Sequence, residues 1–292
     1  MMGESKFDIL SKIPTQYIPK SILIKVPITK LELLQHIHSE KLTFPLVFKP
    51  DLGERGWMVN RIFNEQDLEN YLQTIKTNFI VQQLVDLPVE LAVFYVRYPN
   101  EENGKVTSVT LKGMLSIEGD GKSTMRDLIM ANDRAKLQWD SLSKKFNDQL
   151  EMILRKGETL ELVSIGNHCL GTTFLDANNL ITEKLNHLFD SISKQINGLY
   201  FGRYDLRTAS VEELYAGNIQ IMELNGCGAE PAHIYQPGAS IFAAWRTLFV
   251  HWRTMYQISV QNHQKGVPYL SVKEGLTIFR NFKGIKALHE PH

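Results

Sequence analysis

The sequence has little of what marks secreted, membrane-spanning or nucleic-acid-coating chains. It holds only two cysteines, Cys169 and Cys227, with no metal-ligand spacing between them. That argues against both a disulfide framework and a zinc site and leaves reduced thiols as the expectation. Cys227 is expected as a small buried filler. Apolar runs are short and interrupted, and the N-terminus, Met1-Met-Gly-Glu-Ser-Lys-Phe7, lacks the apolar core of a signal peptide, which points to a cytoplasmic chain and away from a membrane partner. No sign of charge prevails. Lys+Arg and Asp+Glu are both 32, so no global field collects nucleic acid or an anionic membrane, and any anion site must be local. Repeats and low-complexity segments are missing. A P-loop is missing too: Gly121-Lys-Ser123 needs a glycine five residues before it, and Ser116 stands there.

What is present is an ordinary globular composition, 43% hydrophobic and 22% charged over 292 residues, enough for one large domain or several lobes with a substantial core. The stretch 199–235 organises it. Residues alternate faces along a strand, so Phe201, Arg203, Asp205 and Arg207 share one face, and Ile219, Ile221, Glu223 and Asn225 share one face of a second run. Each face starts apolar and ends charged or polar. A hairpin closing around 211–216 can set Asp205 opposite or diagonal to Glu223, placing two carboxylates side by side. Acidic groups held together beside arginines and a glycine-rich turn suit a hard cation, Mg2+ rather than zinc. The alternative is a hairpin whose charged ends simply reach solvent.

Earlier in the chain, Phe44-Pro-Leu-Val-Phe-Lys49 reads as a buried strand that stops in Pro50-Asp-Leu-Gly-Glu-Arg-Gly56, where two glycines allow a positive φ and close approach to a ligand. Lys49 is either a snorkelling surface residue or a point charge aimed at phosphates. Thr29 and Asn64 read as helix caps. The strand 78–84 is joined through Val85-Asp-Leu-Pro88 to a second strand in which Glu90 begins the apolar face of Ala92, Phe94 and Val96. A connection this short is a plausible hinge whose backbone groups read an adenine edge. Further on, a strand over 105–112, a capped helix start at 123–127, a polar solvent-facing helix over 133–150 and a glycine-bounded loop holding His168 are expected. Thr182 caps an amphipathic helix, and 240–261 reads as a long packing helix.

Taken in this order, the motifs resemble those of the ATP-grasp superfamily of carboxylate-amine ligases, over roughly residues 40–245. The 44–56 segment is similar to that family's lid strand, phosphate lysine and glycine-rich loop. Phe79-Ile-Val-Gln-Gln-Leu-Val85 with Glu90 resembles its adenine hinge and ribose-contacting carboxylate. Arg203-Tyr-Asp205 with Glu223-Leu-Asn225 matches its metal-binding pair. The helix start at 119–124 and the loop 166–172 look most like the cyanophycin-synthetase and glutathione-synthesis branches, less like the D-alanine:D-alanine ligases.

The resemblance implies an α+β ATP-grasp fold of two lobes with the nucleotide between them: an N-terminal segment 1–19, a small lid lobe 20–86, a large lobe 87–262 and a C-terminal appendage 263–292. It implies ATP and Mg2+, with phosphorylation of a carboxylate and displacement of phosphate by an amine. Lys49, Arg203 and Arg207 would be catalytic, and Lys49, Gly53, Arg55, Gly56, Gln83, Leu84, Val85 and Glu90 would hold nucleotide. Asp205, Glu223 and Asn225 would hold metal, and His168, Glu230, His233 and Tyr235 would face a small-molecule or peptide substrate that bears a carboxylate, plus an amine. Two rivals share the fold: a kinase, and a nucleotide-binding module that needs a partner chain. A homo-oligomer is a further possibility.

Three departures stand out. Members commonly carry an N-terminal α/β domain, and here the matching region begins almost at once. The family lysine that precedes the lid has only Lys6 or Lys12 as counterparts. Glu54 and Arg55 put charges in a loop where many members have serines.

Overall fold

The computed structural model describes residues 4–53, 56–163 and 171–287. Helix α1 (Lys6–Leu10) precedes a lobe made of β1 (Ser21–Ile24), α2 (Lys30–Ser39), β2 (Leu46–Pro50), β3 (Asn60–Ile62), α3 (Glu65–Thr74) and β4 (Phe79–Gln83). Its sheet runs β1-β4-β2-β3 with every neighbouring pair antiparallel. Local chemistry starts both helices where the sequence says. The Thr29 side chain accepts from Glu32 N while Glu32 accepts from Thr29 N, and Asn64 Oδ1 accepts from Gln66 and Asp67. Leu33, Ile37, Leu68 and Tyr71 then close over Phe48 and Phe79, with Phe48 edge-on to Tyr71 at 5.3 Å.

The remainder comprises β5 (Val89–Val96), β6 (Lys105–Gly113), β7 (Leu115–Glu118), α4 (Met125–Ala131), α5 (Trp139–Lys145), β8 (Thr159–Val163), β9 (Thr173–Asp176), α6 (Glu183–Lys194), β10 (Phe201–Thr208), α7 (Val211–Ala216), β11 (Ile219–Asn225), α8 (Ile241–Gln264) and α9 (Val272–Ala287). The large sheet runs β11-β10-β5-β6-β9, all antiparallel. One face buries Leu91, Val93, Tyr95, Tyr204 and Leu206 against Phe189 and Ile192 of α6, and Leu10 and Ile13 of the N-terminal segment join this core. Its other face is apolar at one end, where Phe94, Val96 and Phe201 form a smaller cluster, and polar beyond it. Strands β7 and β8 with α4 and α5 enclose a core of their own around Leu115, Ile129, Leu142 and Leu162.

Four local expectations are corrected. The 211–216 connection is a helix, because Ser210 caps Glu213 N and Gly217 ends the turn at φ 83°. The 133–150 stretch is not one polar helix. Asn132 Oδ1 takes the amides of Arg134 and Ala135, and the chain then breaks into short turns around α5 that bury Leu142 and Leu150. Cys227 is exposed. The second focal run does not keep one face: pairing passes from Asp205↔Glu223 to Leu206↔Ile221, so Met222 is an extra residue. A bulge reverses the faces beyond it. Ile219 and Ile221 enter the core, whereas Glu223 and Asn225 emerge beside Asp205.

Candidate functional site

The polar face of the large sheet looks across to β2 and β4 of the small lobe. Antiparallel partners share a face, so register alone sets Asn225, Arg203, Phe94 and Ser108 in one row and Glu223, Asp205, Ala92 and Thr110 in the next, with Arg207 and Glu90 paired beyond them.

Asp205 is buried. Its Oδ2 accepts from Arg203 Nη2 at 3.1 Å and from Asn225 Nδ2 at 2.8 Å, and Lys112 Nζ lies 3.0 Å from its Oδ1. Lys112 also meets Glu90 Oε1 at 3.1 Å; burial works against its charge, but Asp205 and Glu90 outweigh this and raise its pKa. Glu90 Oε2 receives Arg207 Nε at 2.9 Å, and Arg207 Nη1 reaches the hinge carbonyls of Val85 and Leu87 at 3.3 and 3.4 Å. Glu223, the direct partner of Asp205, meets Lys6 Nζ at 3.2 Å. Burial would raise its pKa, but Lys6, Lys49 and Arg203 hold the carboxyl well below the usual carboxylate range.

Lys49 comes from the other lobe. Its buried ammonium donates to Gln82 Oε1 and to Met222 O, both at 3.0 Å, so the carbonyl it takes on the large lobe is that of the bulge residue. Both partners are neutral. Burial therefore dominates, opposed by Glu223 and aided by Lys6, and the ammonium pKa falls to about 8. Among the described residues, Lys6, Lys49, Lys112, Arg203 and Arg207 gather with four carboxylates, Glu90, Asp205, Glu223 and Glu230, so cations outnumber carboxylates between the lobes. Such a surplus in a partly dry cleft suits a polyanion.

The remaining expected residues fall around this cluster. Gly53 and Gly56 follow β2, Gly56 at φ 74°, where only glycine is relaxed. Gln83 spends its side chain within the small lobe, on Thr43 and Pro45 O, while half-buried Leu84 and Val85 begin the hinge. Arg203 Nη1 donates to Glu230 O at 3.2 Å, and the Tyr235 hydroxyl bonds Glu230 Oε2. His233 Nδ1 lies 2.7 Å from Ser108 Oγ. Burial lowers the His233 pKa, against an opposing pull from Asp176. Arg55 and His168 lie outside the described residues. Of the two candidate N-terminal lysines the structure brings in Lys6, while Lys12 is exposed. Lys112 was not among the expected residues. Its signal was available, since it alternates with Ser108 and Thr110 on a strand next to Glu90.

The donor set fits Mg2+ in kind. Asp205 and Glu223 are opposed carboxylates, and Asn225 spends only its amide nitrogen on Asp205, keeping a carbonyl oxygen. The Lys6 contact on Glu223 supplies charge that a divalent cation would otherwise balance. Among the described residues no three His, Cys, Asp or Glu side chains converge. No helix among them is long and apolar enough to cross a membrane.

No protein-family model matches the sequence, and no curated protein matches it. Solved structures do match. The VanG D-Ala:D-Ser ligase from Enterococcus faecalis is 12% identical with a TM-score of 0.50, over 89% of this chain and 62% of that one. A D-alanine–D-alanine ligase from Bacillus anthracis gives 14% and 0.46 over 90% and 70%, and a bifunctional glutathione synthetase from Pasteurella multocida gives 17% and 0.42 over 85% and 35%. This chain spans about a third of the glutathione synthetase and under two thirds of the VanG ligase. The fold is that of the ATP-grasp ligases.

Proposed function

We propose, starting from a chain with the ATP-grasp fold, that this protein uses ATP and Mg2+ to join a carboxylate to an amine through an acyl-phosphate. The observation that carries the reading is Lys49: a buried ammonium with only neutral acceptors, aimed from the small lobe at the two-carboxylate row of the large one. A buried lysine whose hydrogen-bond acceptors are all neutral, with Glu223 near it but not bonded to it, suits a further anion, and the surplus of cations around it matches a triphosphate.

Asp205, Glu223 and Asn225 would hold Mg2+, which supplies charge neutralisation on the phosphates when bound. Lys49 and Arg203 stabilise charge on the transferred phosphoryl group. Arg207, tied to Glu90 and to hinge carbonyls, orients the nucleotide end of the cleft. The segment 230–235 borders Arg203 and forms the acceptor side. Fold likeness at this identity supports ATP use; the acceptor is read from the site alone.

The test is Mg2+-dependent release of ADP and phosphate against pooled amino acids and small carboxylic acids, with Glu223→Gln beside the parent. Release that needs both an acid and an amine and disappears in the variant supports the ligase. A stable phosphoester in place of an amide favours a kinase. Tight Mg2+-dependent ATP binding without turnover sinks the stand-alone ligase and points to a partner chain.

A further inference from the structure

Helix α8 is apolar on two sides. His251 and Ile258 form the buried side, with Met255 partly covered, and pack on Phe94 and Phe201 of the large sheet. The other side carries Phe242, Trp245, Phe249, Trp252 and Tyr256, spaced three and four residues apart and therefore aligned in one stripe. All five are exposed, from 55% at Trp252 to 74% at Phe242. The sequence suggested a packing helix, and only its narrower side packs. A contiguous stripe of large aromatics left in water is more than scattered surface apolarity and calls for an occupant.

Charge says what kind. The segment 241–292 holds seven Lys and Arg against two Asp and Glu, so of the 32 of each sign the first 240 residues hold 25 and 30. The neutral whole thus hides an acidic body and a basic C-terminal segment. Helix α8 contains no acidic residue, and Arg246 and Arg253, beside the aromatic stripe, make no ion pair among the described residues. Helix α9 repeats the combination with exposed Leu276 and Phe279 among Lys273, Arg280 and Lys283. A second copy would bring arginines against arginines along the same stripe, which disfavours self-pairing.

We infer that α8 and α9 dock this protein onto an anionic lipid surface, with the aromatic stripe lying at the headgroup–acyl boundary and Arg246 and Arg253 on the headgroup phosphates. Aromatic rings with an apolar body and a polar edge suit that boundary, and a helix whose other apolar side is already packed on its own protein lies in its plane rather than crossing it. The docking does not depend on what the cleft catalyses.

The experiment is co-sedimentation of the full chain with phosphatidylcholine vesicles and with phosphatidylcholine–phosphatidylglycerol vesicles, at low and high salt, following tryptophan emission. Expected results are binding to the anionic vesicles only, a blue shift on binding, and release by salt. Trp245→Ser with Trp252→Ser should abolish the blue shift, and Arg246→Gln with Arg253→Gln should weaken binding roughly thirtyfold. Both double variants should keep the parent's melting temperature, which separates lost docking from lost folding. The inference fails if anionic vesicles leave the chain in solution, if neutral vesicles bind it equally, if the arginine variant binds like the parent, or if light scattering finds a dimer whose tryptophans are already shielded from iodide.

Discussion

Arg207 holds Glu90 through two nitrogens on the same carboxylate oxygen, Nε at 2.9 Å and Nη2 at 2.8 Å. Lys112 takes the other oxygen, so one buried carboxylate bridges two buried cations, and Arg207 in turn reaches the carbonyls of Val85 and Leu87. Removing the charge of Glu90 leaves Arg207 without a carboxylate and Lys112 with Asp205 alone. Glu90→Gln is expected to lower unfolding free energy by about 3 kcal/mol in urea titrations and to weaken nucleotide binding together with it. A variant of parental stability would show that the cluster reaches solvent.

Lys49 should trade stability for binding. Its folded pKa of about 8 lies below the ordinary lysine value of 10.5, so between these values the unfolded chain binds more protons and stability rises with pH. Below about pH 8 the buried charge is a standing cost. Lys49→Met is expected to gain about 2 kcal/mol at pH 7, net of its two lost hydrogen bonds, and to lose that advantage as pH approaches 10. The same substitution should abolish ATP-induced thermal stabilisation, which in the parent should decline as pH rises past 8. A variant that melts lower at pH 7 and still binds ATP would refute this role.

On the proposed reading His233, which is joined to Ser108 at 2.7 Å, serves the acceptor and not the nucleotide. His233→Asn should raise the KM for the acceptor at least tenfold while leaving the ATP KM within twofold, a split expected when lost binding is local to one substrate. Equal changes in both constants would assign the residue to the fold instead.

Much of this site was legible in the sequence. The alternation in 201–207 is real, and the opposition of Asp205 to Glu223 follows from strand pairing. The rest escaped for identifiable reasons. Strict alternation put Glu223 with Ile221, and a bulge, which a period-two pattern cannot announce, separates them. Helix α7 carries its signals openly, a serine three residues before Glu213 and a glycine at its end, but at 6 residues it occupies the place where a hairpin connection is expected. Lys6 reaches Glu223 across more than two hundred residues of sequence, a contact no local pattern encodes. On α8 both stripes are apolar, and sequence alone does not say which is covered.

The N-terminal segment ties the molecule together in a way that constrains its motion. Leu10 and Ile13 are rooted in the large-lobe core, yet Ser5 Oγ and Phe7 N both donate to Asp51 Oδ1 at the end of β2, each at 2.9 Å. The covalent crossings between lobes lie side by side elsewhere, where Gln83 N donates to Lys20 O at 2.8 Å. A lid held at two separated points cannot tilt freely. Rotation about the line joining them, like a door on two pins, is the motion these ties oppose least, and along that arc Lys49 would approach or leave Met222 and its neighbour Glu223.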